Sequence, residues 1–138
     1  MNIKDILHII NKKNIEYYLT NETAKELYNH IFLGKKYNSK KINIITDKCD
    51  FPFNLSDIFK VEQLGNSYQP YILSFKSYKI NIFVRYGLSI VHKYFTYKNV
   101  YNIETFDRLF NRKIIDKNLY KLYKFHYIFN KKKLKLKK

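Results

Sequence analysis

Ser39-Lys40-Lys41-Ile42-Asn43-Ile44-Ile45-Thr46 is the stretch on which the fold turns. Isoleucine suits a pleated, half-buried surface and side chains alternate across a strand. Residues 41–46 therefore predict a strand with Lys41 and Asn43 on one face and Ile42 and Ile44 on the other. Ahead of it, Thr20-Asn21-Glu22-Thr23-Ala24 marks a change from strand-like to helical spacing. Behind it, Tyr78-Lys79-Ile80-Asn81-Ile82-Phe83-Val84 alternates in the same way.

Working outward, Ile3, Ile6, Leu7 and Ile10 recur at helical spacing, with Asn2 and Asp5 supplying a cap and an acidic first turn. This predicts an amphipathic helix over about 3–13. Residues 15–20 read as a short aromatic strand. Ala24, Leu27, Tyr28 and Ile31 then predict a helix that stops at Gly34. The loop 35–40 is basic, residues 47–54 form a loop containing Pro52, and 55–59 allow only one or two helical turns. Residues 60–64 read as an edge strand closed by Gly65-Asn66. The runs 71–75 and 79–86 read as a hairpin across Lys76-Ser77-Tyr78. Residues 90–95 fit strand or helix equally, and 103–110 read as helix. A last helix is expected over 116–129, with Leu119, Leu122, Tyr123 and His126 on one stripe and Lys117, Lys121 and Lys124 on another. The sequence reads as having no internal repeat and no second-domain boundary.

At 138 residues the chain has the size of one domain with a short tail. Its 27 basic residues against 11 acids leave a formal charge of +16, which predicts association with a polyanion. Ten of those lysines, against the single acid Asp116, fall within 113–138. The last eight residues hold six lysines and are expected to be a tail that does not fold by itself. Lys, Asn, Ile, Tyr and Phe dominate, as an AT-rich genome writes them. A lone Cys49 excludes an internal disulfide, and His8, His30, His92 and His126 lack ligand spacing. No apolar run is long enough to cross a bilayer, and the first residues resemble neither a secretory signal nor a transit peptide. The expectation is a soluble protein, cytoplasmic or made inside an organelle such as the mitochondrial matrix.

The order helix, strand, helix, basic loop, strand and hairpin resembles the minimal nucleotidyltransferase superfamily, small relatives of the polymerase-β-type catalytic domain. The resemblance covers roughly residues 3–115 and implies an α/β (α+β) fold, a small mixed sheet flanked by helices, followed by a basic C-terminal helix and lysine tail over 116–138. In that family a Gly-Gly or Gly-Ser pair opens a helix that holds the triphosphate. An Asp-x-Asp pair and a third Asp on neighbouring strands hold the Mg²⁺ ions of phosphoryl transfer. The resemblance places the small-residue pair on Asn21-Glu22, the Asp-x-Asp on Lys41 and Asn43, and the third Asp on Asn81. Lysine and asparagine do not supply the anionic oxygens that Mg²⁺ demands. The reading is therefore a pseudoenzyme with no catalytic residues, metal or cofactor. Asp47 and Asp50, the nearby carboxylates, are explained by turn chemistry.

What remains is binding. The expected partner is RNA, in a ribonucleoprotein such as the ribosome of an AT-rich organelle, together with neighbouring proteins and no membrane. Lys35, Lys36, Lys40 and Lys41 form one expected contact patch. Lys117, Lys121 and Lys124 with Lys131, Lys132, Lys133, Lys135, Lys137 and Lys138 form the other. The alternatives are an antitoxin-like or viral counter-defence module acting through an aromatic patch of Tyr68, Tyr71, Tyr94 and Tyr97, and an active nucleotidyltransferase.

Overall fold

The computed structural model describes residues 3–13, 16–46, 55–85 and 93–137. In chain order the elements are α1 (Ile3–Asn11), β1 (Tyr18–Leu19), α2 (Asn21–Leu33), β2 (Lys41–Thr46), β3 (Lys60–Gln63), β4 (Tyr71–Phe75) and β5 (Tyr78–Val84). They continue with β6 (Tyr94–Tyr97), β7 (Tyr101–Glu104), α3 (Phe106–Asn111), α4 (Lys117–Phe129) and β8 (Leu134–Lys137). The strands form one mixed sheet in the order β3-β4-β5-β2-β1-β7-β6-β8. The β2–β5 and β1–β7 pairs are parallel and the rest antiparallel.

Local chemistry accounts for most boundaries. The α1 stripe Ile3, Ile6, Leu7 and Ile10 is buried as its spacing demands. α2 ends at Gly34, whose φ of 68° is left-handed. The Asp116 carboxylate accepts from the Leu119 N–H at 2.8 Å and opens α4. The β4–β5 hairpin turns on Lys76-Ser77, with Phe75 paired to Tyr78. The β6–β7 hairpin places Lys98 and Asn99 both at positive φ, and the Val100 N–H closes on the Tyr97 carbonyl. One core cluster joins Ile42, Ile44, Ile80 and Ile82 of the central strands to Leu7, Leu27, Tyr28, Leu109 and Tyr123 of the four helices. Each such side chain contributes roughly 1.5–3 kcal/mol by leaving water.

Several expectations need correction. The first strand is only Tyr18–Leu19 within the described part of 15–20. Residues 103–110 are not one helix: Tyr101–Glu104 is a strand, and Thr105 accepts from the Arg108 N–H to start α3 afresh. Helical spacing overlooked the cap that divides the run. The ambiguous stretch ends in a strand at Tyr94–Tyr97. On α4 the stripe rotates: Tyr123 is fully buried, whereas Leu122 is exposed.

The lysine tail is also corrected. Leu134–Lys137 pairs with β6, Leu134 opposite Tyr97 and Leu136 opposite Phe95, and Leu134 is buried. The alternation Leu-Lys-Leu-Lys has the period of a strand, and an existing edge supplies the hydrogen bonds that an isolated segment lacks. The expected loop over 47–54 and the break at Gly87 lie outside the described residues.

Candidate nucleic-acid interface

The site grows from the pairing of β2 with β5. Lys41-Ile42-Asn43-Ile44 and Lys79-Ile80-Asn81-Ile82 are the same tetrapeptide, and the parallel register sets them side by side, each residue against its twin. Identical side chains thus form ladders. Ile42, Ile44, Ile80 and Ile82 are fully buried on the core face, while Lys41, Asn43, Lys79 and Asn81 rise from the other. Sequence reading missed this repeat, and register reveals its consequence.

The asparagine ladder satisfies itself. Asn81 Nδ2 donates to Asn43 Oδ1 at 2.9 Å, and Gln69 Nε2 donates to Asn81 Oδ1 at 3.0 Å. The Asn43 N–H donates to the Thr23 hydroxyl at 2.8 Å, tying β2 to the first turn of α2. The structure therefore brings two of the three named positions, Asn43 and Asn81, into direct contact, with Lys41 two residues along the same face. An amide pair bonded in this way offers neutral oxygens, each accepting one hydrogen bond, and no carboxylate of the kind that two-metal phosphoryl transfer uses. Asp47 and Asp50 lie outside the described residues.

The lysine ladder is longer than the sequence suggested. Lys41 pairs with Lys79, Lys79 with Ser74 and Ser74 with Lys60, so three exposed lysines cross four strands in one row, about 14 Å from end to end at the usual strand spacing. Like charges at neighbouring positions repel and cost stability. Among the described residues the ion pairs are Lys13–Asp57, Arg108–Glu104 and Arg112–Glu104, and none involves this row. Lys60 and Lys79 were not foreseen as contact residues, because nothing in the sequence fixes which strands adjoin. Lys40 differs, since its Nζ lies 4.3 Å over the Tyr78 ring and 3.1 Å from its hydroxyl.

Along the same face, Phe83 pairs with Ile45 and Ile45 with Tyr18, giving a third, apolar row. A recess of about 230 Å³ opens beside it, lined by Thr20, Asn21, Tyr68, Arg85 and Arg112. Asn21 begins α2 with a φ of 53°, a left-handed backbone at the position where the resemblance expects glycine. Arg112 covers this helix start, donating from Nη2 to Asn21 Oδ1 at 2.8 Å and to the Thr20 hydroxyl at 2.9 Å. It is held by Glu104, 1% exposed, whose carboxylate accepts from Arg112, Arg108 and Thr20. Burial pushes the Tyr18 hydroxyl pKa up, opposed by the nearby Arg108. Sequence reading missed Glu104 and Arg108, which lay inside a stretch read as plain helix, and Arg112 just beyond it.

The other expected cations are placed as follows. Lys35 and Lys36 are exposed beyond the α2 cap, and Lys117, Lys121 and Lys124 lie on the exposed side of α4. Lys131, Lys132 and Lys133 form a 3-10 turn, and Lys135 and Lys137 alternate out of β8 on the face opposite Leu136. Lys138 lies outside the described residues. Tyr68 and Tyr71 lie towards the β3–β4 edge and Tyr94 and Tyr97 on β6, separated from β4 by four intervening strands, so the four tyrosines do not form one patch. No described helix is long and apolar enough to cross a membrane. Comparison with protein-family models, with curated proteins and with solved structures gives no match to this chain.

Proposed function

We propose that this protein is a non-catalytic RNA-binding component of a ribonucleoprotein, built on a nucleotidyltransferase-like domain whose metal-binding chemistry has been replaced. The observation that carries the reading is the exposed row Lys41–Lys79–Ser74–Lys60, two neighbouring cations and a third one strand further on, without an acidic partner among the described residues. A row of this kind is costly alone and favourable under a polyanion, because each phosphate contact releases counterions. Phe83, half-buried on the third row of the same face beyond the asparagine ladder, gives a base an edge to pack against, as single-stranded nucleic acid requires. The ladder of Asn43 and Asn81 supports the idea of a carboxylate site turned into a neutral, self-bonded strand pair.

Membership in a larger assembly has its own support on α4. Phe125 and Phe129 are 56% and 76% exposed with ring centroids 4.8 Å apart, beside Lys121 and Lys124. Large exposed apolar groups of this kind mark surfaces that meet neighbours. Together with the AT-rich composition, this favours a ribosome-like particle made in an organelle. The test is binding of the purified protein to single-stranded RNA at about 50 and about 200 mM salt. Affinity falling steeply across that range is expected, and a flat response contradicts the reading.

A further inference from the structure

A cavity of about 700 Å³ lies between α4, the start of α3 and strands β6 and β8, a volume typical of small-molecule sites. Its floor is aromatic. Phe95, Phe106 and Tyr127 pack with centroids 5.1, 5.5 and 5.8 Å apart. Its mouth exposes apolar carbon at Ile128 and Leu136, which are 56% and 47% exposed. Lys93, Lys124 and Lys131 stand around this floor, with Arg108, which is already paired to Glu104. The acid on the lining, Asp107, is engaged by the Tyr120 hydroxyl at 2.6 Å, a bond that raises the Tyr120 pKa.

This cavity is separate from the lysine row. Phe95 pairs with Ile103, Ile103 with Leu19 and Leu19 with Ile44, so Phe95 belongs to the core face of the sheet, opposite Asn43 and Asn81.

We propose that the cavity binds a nucleoside 5′-phosphate, its base against the aromatic floor and its phosphate among the lysines. An aliphatic anion has no flat face for the rings, and a neutral aromatic molecule leaves the cations unanswered; a nucleotide satisfies both. The ligand is either a free nucleotide or one unstacked nucleotide of a single-stranded RNA, and both present the same chemistry.

Calorimetric titration with ATP, inorganic triphosphate and a single-stranded oligoadenylate tests this. Saturable binding of ATP assigns the site to a free nucleotide, and saturable binding of oligoadenylate alone, kept in part by Lys79→Glu and weakened by Ile128→Asp, assigns it to RNA. In either case Lys124→Glu and Ile128→Asp, at exposed positions that leave the fold intact, are expected to weaken binding about tenfold. Lys4→Glu makes the same charge change at an exposed position on α1, outside the cavity, and is expected to change binding by no more than about twofold. Lys79→Glu, on the opposite face, is expected to leave ATP binding unchanged, so the site stands or falls separately from the RNA reading. Inorganic triphosphate binding as well as ATP, equal loss in Lys4→Glu and Lys124→Glu, or no saturable binding of either nucleotide probe would each overturn the proposal.

Discussion

Asn81 donates its side-chain amide to Asn43 Oδ1, 2.9 Å away across two parallel strands that carry the same tetrapeptide in register. The bond fills the space between neighbouring strands with a neutral pair. Asn81→Ala removes both this donor and the acceptor of Gln69, leaving two half-buried amides to water. A loss of about 1 kcal/mol in stability is expected from urea unfolding. An unchanged midpoint would show that the ladder contributes nothing.

Glu104 is the buried acid on which the start of α2 depends. Its carboxylate is shared by Arg108, Arg112 and Thr20, with both arginines about a quarter exposed. Glu104→Ala leaves two guanidinium groups without their partner and is expected to cost about 3 kcal/mol. Glu104→Gln keeps the shape and loses the charge, so it should cost less. The two variants ranked the other way in thermal unfolding would contradict this account.

Buried tyrosines make the fold sensitive to alkali. Burial raises the pKa of Tyr17 and Tyr28 well above the ordinary tyrosine value, and both are almost wholly enclosed. A raised folded pKa means that the native state keeps protons the unfolded chain gives up. The associated stability is complete below about pH 10 and declines above it by roughly 1.4 kcal/mol per pH unit for each such group. Unfolding and tyrosinate absorbance should therefore appear together on alkaline titration. Tyrosinate forming at Tyr17 and Tyr28 before ellipticity is lost would contradict it.

The proposed loss of a carboxylate site gives a chemical prediction. With Mg²⁺ or Mn²⁺ and any nucleoside triphosphate, the protein is expected to transfer no label to RNA, DNA or protein. Asn43→Asp with Asn81→Asp sets two carboxylates on adjoining strands about 4.8 Å apart and is expected to bind Mn²⁺ more tightly than the natural chain, as measured by electron paramagnetic resonance. Metal-dependent transfer by the natural protein would show that the site had been misplaced.

The central strands and both long helices were legible because their periods are strong and their ends carry Gly34 and Asp116. The alternation of 41–46 put Lys41 and Asn43 on one face correctly. Their neighbours were not legible, since Lys60 and Lys79 join the row only through register between segments distant in sequence. Glu104 was lost for a local reason: Ile103-Glu104-Thr105-Phe106 has apolar residues at a spacing that fits helix, and the cap at Thr105 outweighs it. The lysine tail was read by charge alone, while Leu134 and Leu136 carried the strand signal.

The central claim is that the Lys41–Lys79–Lys60 row contacts phosphate, and the salt dependence of RNA binding counts such contacts. For single-stranded RNA each contact contributes about 0.7 to the slope of log affinity against log salt. The measurement is that slope for the natural protein and for the triple variant Lys41→Gln, Lys60→Gln, Lys79→Gln. The account predicts that the variant folds normally and that its slope is shallower by about 2. A slope unchanged by removing all three lysines would contradict it, because the sheet face would then play no part in holding RNA.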